Sequence, residues 1–151
     1  MADAAEETGE APAYLLDTHA WIWVMEGKIN GKKEINPSLI GKLEAASKTS
    51  WIYVASISLW EVSMLETKGR IGFRIPCLQW LHNAVNSPGL TVIPMNPDIA
   101  FDSANLPNGF HGDPADRLIV ASSRKTDSIL VTRDRNILDY ASQKYLRAVE
   151  I

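Results

Sequence analysis

The feature that most constrains this chain is a recurring pair of a short apolar run without alternation and a following stretch with helical spacing. Apolar, aromatic and β-branched residues place strands at 14–16, 51–54, 90–93, 128–131 and 146–149. Helical patterns fill the gaps. One covers 20–25, between the candidate cap Thr18 and the stop at Gly27. Leu39, Ile40, Leu43 and Ala46 follow the cap-proline pair Asn36-Pro37, a third helix runs from Ser56 or Ser58 to Lys68, and a fourth starts at Pro76. Asn96-Pro97 repeats the cap-proline signal, Asp113-Pro114 opens a helix to Lys125 after the loop at 107–112, and a short helix covers 136–142. Strands apolar on both faces need cover on both faces, so the expected fold is α/β on a parallel sheet of about five strands.

No repeat, low-complexity segment or linker divides the chain, and its 151 residues with 46% hydrophobic content suit one core. One domain is expected over 13–151, preceded by a flexible acidic tail at 1–12 that lacks the basic and apolar regions of a secretory signal. No apolar run reaches the roughly 20 residues of a membrane helix, because Asp17, His19, Glu26 and Glu61 interrupt the candidates. No membrane association is expected. The single cysteine, Cys77, cannot form an internal disulfide, which fits a reducing cytoplasm. The net charge of −3 is misleading as a guide to nucleic-acid binding: Asp3, Glu6, Glu7 and Glu10 lie in the tail, and the remainder carries +1.

Four carboxylates fall where such a fold places its chemistry, beyond the carboxyl ends of the strands. Asp17 ends the first strand, and its ordinary role there would be to cap the next helix, though Thr18 could do so instead. Glu61 shares a helical face with Ile57, Ser58, Met64 and Leu65, so it is either a buried acid needing a partner or the closing member of a Ser58–Glu61 capping box. In Asp113-Pro114-Ala115-Asp116 the first Asp reads as the cap, and Asp116, one turn in, projects toward the crevice. Asp134 follows the fourth strand between two arginines, either a solvated turn residue or the fourth member of the set. Hard oxygen donors without a Cys or His cluster suit Mg²⁺ or Mn²⁺, as one or two ions able to polarise a phosphate oxygen and acidify a water.

These segments carry a resemblance. Leu15-Leu16-Asp17-Thr18-His19, Ser56-Ile57-Ser58-Leu59-Trp60-Glu61-Val62, Asp113-Pro114-Ala115-Asp116-Arg117-Leu118-Ile119-Val120-Ala121 and Leu130-Val131-Thr132-Arg133-Asp134 resemble, in order, the four motifs of PIN-domain nucleases, most of all VapC-type toxins. The resemblance implies a three-layer α/β/α sandwich, Mg²⁺- or Mn²⁺-dependent endoribonuclease activity, a homodimer and inhibition by a small cognate antitoxin. Carried over by position, it makes Asp17, Glu61, Asp116 and Asp134 the catalytic, metal-holding quartet and Thr132 the residue supporting the last acid. The acidic tail is longer than such toxins usually carry, and Ala115 stands where an aromatic residue is common.

Arg117, Arg133 and Arg135 adjoin the acids and are candidates to hold RNA phosphates, with salt bridges to those same acids as the alternative. His19, alone in an apolar helix, reads as a packed side chain, His82 as a surface residue and Cys77 as core. A haloacid-dehalogenase-type phosphatase fails because His19 stands where its second Asp belongs, and a receiver domain fails because Ile93-Pro94-Met95 offers no phospho-accepting Asp. A PIN nuclease for RNA processing or structured DNA, and a catalytically silent PIN domain that binds protein or RNA, stand as the alternatives.

Overall fold

The computed structural model describes residues 11–151, so all but the last two residues of the acidic tail lie outside the described residues. In chain order the elements are β1 (Tyr14–Leu16), α1 (Thr18–Glu26), β2 (Lys28–Ile29), β3 (Lys33–Glu34), α2 (Pro37–Ser47), β4 (Ile52–Ala55) and α3 (Ile57–Thr67). There follow α4 (Cys77–Val85), β5 (Leu90–Ile93), α5 (Pro97–Ala104), α6 (Pro114–Thr126), β6 (Ile129–Thr132), α7 (Arg135–Ser142) and β7 (Arg147–Glu150). Each of the five expected strands and the expected helices is present, with ends shifted by one or two residues. The two-residue strands β2 and β3, which form an antiparallel hairpin, are additional. Their turn carries Asn30 and Gly31, both at positive φ, an Asn-Gly signal that the long helical patterns on either side obscure.

The main sheet is wholly parallel, in the order β5-β4-β1-β6-β7. The chain leaves central β1 in one direction to β4 and β5, then returns to lay β6 and β7 on the other side. By the general rule for parallel sheets, this reversal sets the switch point at the carboxyl ends of the central strands. Register fixes what projects there. Leu16 is level with both Val54 and Val131, so Asp17 and Thr132, each one residue further on, are neighbours.

The alternation of side chains along each buried strand divides the core in two. Leu16, Val54 and Val131 face one side and pack with Trp21 of α1, Leu39 and Leu43 of α2 and Trp80 of α4. Leu15 and Leu130 face the other and pack with Ile99 of α5, Ile119 of α6 and Ile137 of α7. The result is a three-layer α/β/α sandwich. Helix α1 is apolar nearly all round because α4 covers its outer side: the Trp21 and Trp80 rings meet edge-on at 5.3 Å, and Phe73 stacks on Trp80 at 4.4 Å. Among the described residues no helix is long and apolar enough to cross a membrane.

Candidate active site

The first acid is fixed from both its neighbours. Asp17 is the N-cap of α1, with Oδ1 accepting the Ala20 amide at 2.8 Å. Its Oδ2 accepts the Thr132 hydroxyl at 2.5 Å, while Thr132 Oγ1 accepts the Asp134 amide at 3.0 Å. Thr132 is wholly buried and ties the loop of the last acid to the first. The expectation that Thr18 could relieve Asp17 of capping is corrected here: Asp17 caps, and Thr18 turns inward instead.

Thr18 Oγ1 lies 2.5 Å from Glu61 Oε1 and 2.9 Å from Ser58 Oγ. The capping-box alternative for Glu61 fails, since Ser56 occupies the N-cap of α3 and Ser58 lies inside the helix. Glu61 is therefore an interior, half-buried acid, one turn from the helix start. Asp113 caps α6 by accepting the Asp116 amide at 2.8 Å, as expected, and places Asp116 in the first turn. Gly112 allows this approach: a Cβ there would stand 2.3 Å from the Phe110 ring and 3.0 Å from Asp116 Cβ. Asp134 caps α7 through the Ile137 amide at 3.0 Å. The Asn136 side chain donates to the His111 carbonyl and holds this helix start against the loop that carries Asp113.

Electrostatics show the acids as one group. Burial first, and then the charges of Asp113, Asp134, Glu61 and Asp17, push the Asp116 carboxyl up to about 7. Burial pushes the Asp17 carboxyl above its ordinary value, against the lowering effect of the Thr132 and Ala20 hydrogen bonds. Glu61 is raised by burial and by Asp113, against the Thr18 hydroxyl. By sequence Asp113 reads as a cap outside the set, yet it is the charge that acts most strongly on Asp116. The signal was the Asp-Pro-x-Asp spacing, which puts both carboxylates on the first turn of one helix. His19, expected to be packed, is exposed on α1, its ring 5.8 Å from that of Trp23, and its charge acts on both Asp17 and Glu61.

None of the three candidate arginines pairs with these acids. Arg117 donates to the carbonyls of Ser103 at 2.8 Å and Phe110 at 2.6 Å, pinning the loop before α6. Arg135 pairs with Glu150 at 2.9 Å on the surface. Arg133 donates through Nε to the Ile151 carbonyl at 2.9 Å and lays its guanidinium 5.5 Å from the Trp23 ring centre. It remains exposed beside Asp134.

Five carboxylates thus converge, and among the described residues no Lys or Arg forms an ion pair with any of them. The donor set is all hard oxygen, which fits Mg²⁺ or Mn²⁺. No three of these side chains close into a ready-made cage among the described residues. A bound ion would complete its shell with water, as Mg²⁺ usually does.

Comparison with known proteins bears on the family and the fold. The PIN domain family model matches residues 14–143. Ribonuclease VapC22 of Mycobacterium tuberculosis (strain ATCC 25618 / H37Rv) is 32% identical over 123 residues, covering 82% of this chain and 88% of that protein. Among solved structures, VapBC2 from Rickettsia felis bound to a promoter DNA fragment superposes with a TM-score of 0.64 at 19% identity, over 91% of this chain and 98% of the matched one. The DNA-bound VapBC from Salmonella typhimurium gives 0.61 at 15% identity, over 92% and 98%. These structural matches bear on the fold, while the family model and the sequence relative settle the lineage: this chain belongs to the PIN domain family.

Proposed function

We propose that this chain is a divalent-metal-dependent endoribonuclease that hydrolyses RNA phosphodiester bonds, and that it is the toxin of a type II toxin–antitoxin pair. The observation that carries the reading is the convergence of five carboxylates, none of them ion-paired to a Lys or Arg among the described residues, at the switch point of a parallel sheet. Its similarity to a protein named as a ribonuclease, and to chains solved in VapBC assemblies, supports the substrate class and the pairing with a small cognate antitoxin.

In this reading Asp17, Glu61, Asp116 and Asp134 hold Mg²⁺ or Mn²⁺, and Asp113 adds negative charge at the rim. A divalent ion so bound supplies Lewis-acid polarisation of phosphate and lowers the pKa of water. The protein's own part is orientation. Thr132 keeps Asp17 and the Asp134 loop in register, and the backbone caps stop both carboxylates from swinging. Of the three arginines we assign the phosphate contact to Arg133, whose side chain is preordered by Trp23 and Ile151 and stays exposed next to the acids. Arg117 and Arg135 are committed to other partners. A homodimer and a cytoplasmic location complete the reading. Exposed apolar side chains support the dimer: Met95 is 56% exposed and Phe101 72%.

The test is cleavage of a single-stranded RNA by purified protein with Mg²⁺, with Mn²⁺ and with chelator. Metal-dependent cleavage that Asp116→Asn abolishes supports the reading. Cleavage confined to structured DNA, or none with either metal, overturns it in favour of a different nuclease or a binding domain.

A further inference from the structure

We propose that Thr18 is a positioning residue for Glu61, backed by Ser58, and that this two-hydroxyl relay sets how tightly the site holds a divalent cation. The proposal rests on the metal-dependent reading above and adds two residues to it.

Thr18 and Ser58 are both buried, at 4% and 0% exposure, and buried polar side chains are few among the described residues. A buried hydroxyl costs stability unless it is paired, so the choice of partner is informative. Thr and Ser near helix starts usually cap, but here Asp17 caps α1 and Ser56 stands at the cap of α3. Neither Thr18 nor Ser58 spends its hydroxyl in that way. The two meet each other at 2.9 Å, and Thr18 meets Glu61 Oε1 at 2.5 Å, across gaps of 40 and 43 residues in sequence.

Proton counting gives the relay its direction. An ionised carboxylate only accepts, so the single hydroxyl hydrogen of Thr18 goes to Glu61 Oε1. With that hydrogen committed to Glu61, the 2.9 Å contact sets Ser58 Oγ directly behind the Thr18 hydroxyl and holds it in place. Glu61 Oε1 is held, and Oε2 has no hydrogen bond among the described residues, so one oxygen is anchored and the other left for the ion or its water. Asp17 is held by the same device, through Thr132. Thr18 also follows Asp17 directly, so a single turn of chain fixes an acid from β1 and an acid from α3. Partners of this kind commonly change metal affinity or activity by about 10- to 100-fold.

The experiment is a calorimetric titration of Mn²⁺ into the full chain and its Thr18→Val, Thr18→Ser and Ser58→Ala variants, with kcat and KM for RNA cleavage measured alongside. Val keeps the shape of Thr and removes the donor. Thr18→Val is expected to weaken Mn²⁺ binding about 10- to 100-fold and to lower kcat while KM for RNA stays within about two-fold. Thr18→Ser, which restores the hydroxyl, is expected within about three-fold of the parent chain, with Ser58→Ala between the two. Should Thr18→Val fail to fold, the contrast of Ser58→Ala with Thr18→Ser carries the same test. Parental Mn²⁺ affinity and kcat in Thr18→Val and Ser58→Ala, or equal losses in Thr18→Val and Thr18→Ser, overturn the relay and leave the nuclease reading standing. A parent chain that neither binds Mn²⁺ nor cleaves RNA overturns both.

Discussion

Two regions of this molecule bury carboxylates, and they treat the charge in opposite ways. On the α5–α6 side, Asp102 is 8% exposed and receives the Arg124 guanidinium at 2.9 Å, while Arg124 also donates to the Tyr145 carbonyl. That acid carries its counter-ion with it and stitches α5, α6 and the approach to β7 together. At the carboxyl ends of β1, β4 and β6, Asp17, Glu61 and Asp116 are all raised by burial, and Asp116 also by four neighbouring acids, yet among the described residues no arginine forms an ion pair with them. The nearby guanidinium groups are turned to carbonyls or to Glu150. The same fold that pairs one buried acid leaves a cluster unpaired, at a standing cost in stability. The difference separates an ion pair that serves the fold from the acidic cluster to which the proposed function assigns a divalent cation.

The contrast breaks most sharply on activity. Asp116→Asn removes the carboxylate on which all the others act and is expected to lower RNA cleavage by about 10³-fold or more, since several kcal/mol of transition-state stabilisation depends on the ion it helps hold. Asp102→Asn is expected to leave that chemistry in place and to destabilise the fold by about 2–3 kcal/mol, read by urea denaturation. This is below the ~3–5 kcal/mol of a fully buried pair because the Arg124 side chain is 22% exposed. Equal loss of cleavage in both variants would erase the distinction.

Stability without metal sharpens it in the other direction. The folded chain keeps a proton on Asp116 up to about pH 7, whereas an ordinary aspartate loses it near 3.8. Between those values the native state binds more protons than the unfolded one, so this group's contribution to stability falls as pH rises and is at its least favourable above 7. In chelator, Asp116→Asn is expected to melt about 2–5 °C higher than the parent at pH 8 and within about 1 °C of it at pH 4.5. Asp17→Asn should gain less, because Asp17 spends its oxygens on the Ala20 amide and the Thr132 hydroxyl. A lower melting temperature for Asp116→Asn at pH 8 would show that the cluster is not repulsive.

The site was legible in sequence only where chemistry and secondary structure coincide. Asp17, Asp116 and Asp134 each stand immediately beyond an apolar strand or at a helix start, so strand pattern and parallel topology make them candidates, each with an ordinary capping or turn role as the alternative, and the family resemblance joins them into one set. Glu61 was ambiguous because the same Ser-x-x-Glu spacing serves a capping box, and only the true helix start at Ser56 decides between the two. Asp113 was hidden by its own success as a cap, since one residue does both jobs. The Thr18 contacts to Ser58 and Glu61 join helices that follow different strands, and no local pattern encodes such a meeting. Adjacency in sequence did not show where the arginine side chains go: Arg117 reaches back to Phe110 and Arg135 across to Glu150, while Arg133 stays exposed beside Asp134. The hairpin at Lys28–Ile29 and Lys33–Glu34 escaped because two-residue strands have no periodicity to read.

The most direct measurement is anomalous scattering from a crystal of the full chain equilibrated with Mn²⁺ at pH 7.5. The account predicts a manganese peak bounded by Asp17 and Asp116, with Glu61 or Asp134 at its edge, and its absence from Asp116→Asn crystals. A parent crystal at saturating Mn²⁺ with no peak among these carboxylates, or with Arg133 or Lys side chains folded in to neutralise them, would contradict it.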